Sequence, residues 1–132
     1  MKSVFAALLI SLVGALSCDD SNITLDEAFY GNWQLYKVSG GFTGKGHDLN
    51  FDYMELEKEN NYRFIKNDTI LEFGKVLITN DDEKELLINF VPDKKSEVFM
   101  GDSEKYMVLE GSDTLNLNSP CCDRYNYHFI KE

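Results

Sequence analysis

Histidine, cysteine and carboxylate side chains are the raw material for metal, redox and acid–base chemistry. This 132-residue chain holds two His, three Cys and 23 Asp or Glu. His47 lies in a glycine-rich stretch and His128 near the C-terminus, neither with a second ligand at H-E-x-x-H or similar spacing. Both read as solvated histidines, and no metal site is expected. No G-x-S-x-G or P-loop pattern occurs, and the glycine-rich stretch 40–46 lacks the Gly-Lys-Ser/Thr ending that would hold phosphate. Glu55, Glu57 and Glu59 alternate, while Asp81, Asp82 and Glu83 cluster. Catalytic carboxylates need burial and shifted pKa values, whereas these read as a wet strand face and a turn, and nothing matches an EF-hand loop. Asn22-Ile23-Thr24 and Asn67-Asp68-Thr69 fit the glycosylation acceptor pattern but read as a helix cap and a hairpin turn. The chain is therefore expected to be non-enzymatic and to use no cofactor.

Cys121 and Cys122 are adjacent. Neighbouring Cα atoms lie about 3.8 Å apart, closer than the ~4.4–6.8 Å usual for a disulfide, so a bond between them would be strained and easily reduced. They read either as a vicinal redox pair or soft-metal site, or as two thiols in the turn after Pro120, one packed on the core. The second reading is preferred, because buried Cys behaves as a small hydrophobe.

Cys18 stands apart from that pair. Residues 1–17 carry one Lys, then an uncharged run over 4–16, then Ser17. That is the plan of a secretory signal, and the run is shorter than the ~20 residues of a membrane-spanning helix. A buried helix or an uncleaved anchor is the other reading. Ala15-Leu16-Ser17-Cys18 resembles the lipobox of bacterial lipoproteins, with Ala15 where that family usually has Leu. The resemblance implies a diacylglycerol on the Cys18 thiol, cleavage between Ser17 and Cys18, and acylation of the new amine by a fatty acid such as palmitate. Two or three acyl chains anchor stably where one does so only marginally. The implied partner is the membrane, reached through the N-terminal lipid. The expected location is the outer membrane after export through the inner one, with exposure at the cell surface if Asp19-Asp20 acts as it does in Bacteroidetes-type bacteria. In enterobacterial lipoproteins an acidic residue there retains the protein on the inner membrane, and a plain solvated tether is the third reading.

The elements that could position any site follow from composition and pattern. Formal net charge is −10, and −11 without residues 1–17. Nucleic acid is excluded as a partner, since binding a polyanion needs clustered Lys or Arg. With 43% hydrophobic and 13% aromatic residues the chain is not disordered, and its length makes one domain. The division is signal 1–17, tether 18–23 and a folded domain over 24–132. Thr24 and Glu27 form a capping box for a short helical turn. Beyond Gly31, apolar-rich runs recur about every ten residues between turn residues, the all-β pattern. They cover 33–38, 51–57, 62–66, 70–79, 85–91, 105–110, 114–118 and 125–131. Residues 97–100 form either a short strand or the lead into 105–110. Gly74, inside a run, suggests a bulge or corner. Residues 39–50, with four Gly, form a long loop.

Gly31-Asn32-Trp33 resembles the G-x-W signature of lipocalins, placed after a short helical turn and before a glycine-rich loop at 39–44. Together with the hairpins and aromatic last strand, the order resembles the small lipocalin-like lipoproteins of Bacteroidetes-type bacteria. The resemblance implies an antiparallel meander closing into a roughly eight-stranded barrel, with Trp33 plugging one end and Lys131 or Arg124 over it. The expected inward set is Leu35, Leu56, Phe64, Phe73, Ile88, Phe90, Val108, Leu115, Leu117, Tyr127 and Phe129. Its four Phe predict a filled barrel, so a ligand is expected at a mouth beside Gly40, Gly41, Phe42 and Gly44. The functional expectation is a lipid-anchored envelope protein whose barrel binds a small apolar ligand or a protein partner. A cell-envelope enzyme, or an inhibitory or structural module acting through the acidic surface, is the alternative.

Overall fold

A computed structural model describes residues 23–82, 85–94, 98–99, 102–121 and 123–132. Cys18, the expected signal over 1–17 and Cys122 lie outside the described residues. Eight strands follow in order: β1 Gly31–Gly40, β2 Tyr53–Glu57, β3 Asn61–Lys66, β4 Thr69–Asp82, β5 Glu85–Pro92, β6 Glu104–Glu110, β7 Thr114–Asn118 and β8 Tyr125–Lys131. Each pairs antiparallel with the next, and β8 returns to β1, closing the barrel. Alternation of apolar and polar residues builds these strands, and the turn residues end them: Asn67 and Asp68 both take positive φ between β3 and β4, as a two-residue hairpin turn requires. A short 3-10 turn, Glu27–Phe29, precedes β1. Its cap is Asp26, whose carboxylate accepts from the Ala28 N–H at 3.0 Å, and not Thr24.

One end of the barrel, the N-terminal end, carries residues 23–30, the turns at 58–60 and 111–113, and the C-terminus. The loop end carries 41–52, 67–68, 119–121, 123–124 and, of the connection after β5, residues 93–94, 98–99 and 102–103. Residues 98–99 form a turn and no strand. Gly74 is not at a bulge, since it keeps regular register with Tyr62 and Pro92; a Cβ there would stand 2.1 Å from the Val91 carbonyl oxygen, so the close approach of β4 and β5 excludes a side chain.

The lumen is packed. Trp33, Phe51, Met54, Tyr62, Phe64, Phe90, Met107 and Phe129 are essentially inaccessible, each large side chain contributing about 1.5–3 kcal/mol by burial. Two expected inward residues point elsewhere. Phe73 is 49% exposed, because β4 turns Glu72 and Val76 inward. Val108 is half-buried on the outer phase of β6, whose inward residues are Lys105 and Met107. In both strands a charged residue inside sets the phase, and it has partners there. Tyr62 donates its hydroxyl to Glu72 at 2.6 Å, and Lys105 pairs with Asp102 at 2.6 Å.

Candidate functional site

At the loop end the interior is stoppered. Phe99 lies edge-on to Phe64 at 5.1 Å and to Tyr127 at 5.0 Å, and Phe51 sits beside Phe64 at 4.7 Å. Lys105, 1% exposed, places its ammonium 5.3 Å from the Phe99 ring centre. Asp102 holds that ammonium and also Arg124, at 3.0 Å. Burial lowers the Lys105 pKa, against the pull of Asp102, and raises the Tyr127 hydroxyl to about 12. The glycine-rich loop folds over the same end, with His47 edge-on to Tyr125 at 4.3 Å. Gly41 packs under the Tyr125 ring, Gly40 against the Arg124 carbonyl, Gly44 stands clear, and Phe42 is 89% exposed. Cys121 is exposed in the β7–β8 turn. No group of His, Cys, Asp or Glu among the described residues has the geometry of a metal site.

An open cleft of about 1160 Å³ lies at the opposite, N-terminal end. Its origin is the uneven length of the strands. β5 bonds to β6 only over Leu86–Asn89; past Leu86 it keeps a single pair with β4, Glu85 with Asp82, while β6 continues along β7 through Glu110. Residues 23–30 cross the gap. The Asn60 side chain clamps them, accepting from the Leu25 N–H and donating to the Ile23 carbonyl, both at 2.8 Å. Leu25, Phe29, Ile78, Leu86, Met107 and Leu109 supply apolar walls, with Asp26, Glu27 and Lys58 also lining it. Trp33 Nε1 donates to the Phe29 carbonyl at 2.9 Å, tying this wall to the barrel floor.

Gly31, Trp33 and Lys131 meet at this end. Lys131 Nζ lies 5.2 Å from the Trp33 ring centre, while Arg124 is committed to Asp102 at the other end. The cleft was not legible in the sequence, because it depends on where neighbouring strands stop. The signal that points to it is the long 70–79 run, which overshoots its neighbours. His128, read as a solvated histidine, is instead engaged on both ring nitrogens, by Ser39 and Asn116.

The chain was compared with protein-family models, curated proteins and solved structures, and none of them matches it.

Proposed function

We propose that this chain is a lipoprotein of a Gram-negative cell envelope, acylated on Cys18 and anchored in the outer membrane. Its lipocalin-like barrel binds a small apolar ligand in the cleft at its tethered end. One observation carries the ligand reading: the lumen is filled by its own aromatic side chains, while an open cleft of about 1160 Å³, apolar along β4–β6 and polar at Asp26, Glu27 and Lys58, opens beside residues 23–30. That volume matches or exceeds the ~300–1,000 Å³ of ordinary ligand sites. The tether leaves the domain at Ile23, on the cleft rim, so anchoring would turn the cleft toward the bilayer and its apolar molecules.

The test is titration of a fluorescent fatty-acid analogue into mature protein carrying Cys18→Ser, which removes the protein's own lipid. Saturable binding at one site, abolished in Leu109→Glu, is the expected result. Absence of binding, with no small molecule retained in native mass spectra, overturns it. A protein partner is the second reading, favoured by the outer face of β4. There Leu71, Phe73 and Leu77 stand about half exposed beside Val91 of β5, and exposed apolar patches mark interaction surfaces.

A further inference from the structure

Ser39, Asn116, Asn126 and His128 are far apart in sequence, yet β1, β8 and β7 lie side by side. All four residues sit on the outer face, because Val38, Leu115, Leu117, Tyr127 and Phe129 occupy the inward positions. Ser39 Oγ is 2.7 Å from His128 Nε2, and His128 Nδ1 is 2.8 Å from Asn116 Oδ1. An amide oxygen only accepts, so the ring proton is on Nδ1. Nε2 then carries the lone pair, and the Ser39 hydroxyl donates to it. A hydroxyl aimed at a base whose tautomer is fixed by a third group is the arrangement of an activated nucleophile.

Three further features fit that chemistry. Burial, followed by the Lys37 ammonium, lowers the His128 pKa against the opposing pull of Glu110, which keeps the base neutral. Asn126 is the register partner of Ser39 on β8, and its Oδ1 accepts from the Ser119 N–H at 2.8 Å, which orients the amide. Its Nδ2 lies beside Gly40, the residue after Ser39, and a side-chain amide is a donor type found in oxyanion sites. Tyr36, 48% exposed with its ring 6.2 Å from that of His128, and Ile130, 44% exposed two positions along β8, give the face an apolar flank.

We propose that Ser39 is an acyl-accepting nucleophile acting on carboxylic esters with an apolar acyl group. His128 is its general base, Asn116 the positioning residue behind that base, and Asn126 the donor to the oxyanion. As Oγ bonds the carbonyl carbon, its proton passes to Nε2, and the carbonyl electron pair moves onto oxygen facing the Asn126 amide. Collapse breaks the ester C–O bond, and the leaving alcohol takes the proton from Nε2. Water then repeats the sequence on acyl-Ser39 and releases the acid. This site is separate from the cleft and does not depend on its ligand.

The test is labelling of the intact mature protein with an alkyl fluorophosphonate, located by tandem mass spectrometry and timed across pH. The expected adduct is on Ser39, with loss of fluoride, and none forms in Ser39→Ala. His128→Gln slows labelling about 10²- to 10⁴-fold, the usual share of a general base. Asn116→Asp moves the midpoint of the pH profile upward, because a carboxylate favours the imidazolium; an unmoved midpoint would mean that His128 is not the base and overturns the proposal. Circular dichroism establishes that each variant is folded. No adduct on the native protein, an adduct elsewhere, or unchanged labelling in folded His128→Gln overturns the proposal.

Discussion

Trp33 and Lys131 are register partners on β1 and β8, and the Lys131 ammonium stands 5.2 Å from the centre of the indole ring. The last strand thus locks onto the first at the point where the barrel closes. The contact also explains Gly31: it sits at φ +133, and a Cβ there would come within 3.1 Å of Lys131 Cε. Trp33→Ala is expected to cost about 3–5 kcal/mol, as truncation of a large core aromatic does. Lys131→Met keeps the aliphatic cover and removes the charge, costing about 0.5–1 kcal/mol. Urea denaturation of the two variants measures both, and equal losses would refute this division of roles.

The Asp102–Lys105 pair is asymmetric. Lys105 is 1% exposed, whereas Asp102 also serves Arg124 and Ser119. Asp102→Ala strands a buried ammonium and should cost about 3–5 kcal/mol. Lys105→Met leaves Asp102 its other partners and fills the lumen with apolar atoms, so it should cost much less. Thermal melts of the two variants test the order; a larger loss for Lys105→Met would reverse it.

Folding lowers the pKa of His128 below its ordinary value of 6.5, chiefly by burial. The unfolded chain therefore binds this proton more readily, and stability falls as pH falls through the window between 6.5 and the lower folded value. At neutral pH the contribution is fully present. His128→Gln should remove this part of the acid-side slope in unfolding free energy against pH. An unchanged slope would place the titrating group elsewhere.

For the proposed anchor, metabolic labelling with a radioactive fatty acid should mark the protein, and Cys18→Ala should abolish both the label and its recovery with membranes. Labelling that survives the substitution would remove Cys18 as the lipid site.

Alternation and turn chemistry are local properties, which is why the runs at 114–118 and 125–131 coincide with β7 and β8. They also account for the number of strands, while closure into a barrel rather than a sandwich was implied only by the likeness of Gly31-Asn32-Trp33 to the lipocalin signature. The inward phase of β4 and β6 was not local. Hydrophobicity alone turns Phe73 and Val108 inward, but the structure turns in Glu72 and Lys105, whose burial is tolerable only because Tyr62 and Asp102 are waiting there. Tyr62 comes from the neighbouring strand, and Asp102, though only three residues from Lys105, becomes its partner only because the loop before β6 folds back over the barrel end. The same holds for the two sites. The cleft exists because β5 and β6 stop pairing at Leu86–Met107 while β6 goes on beside β7, and the Ser39–His128–Asn116 chain exists because β8 closes onto β1 while pairing with β7. The sequence by itself determined the strands and their order; only tertiary closure determined which side chains meet, because hydrogen-bond distances depend on register between strands that are remote in the chain.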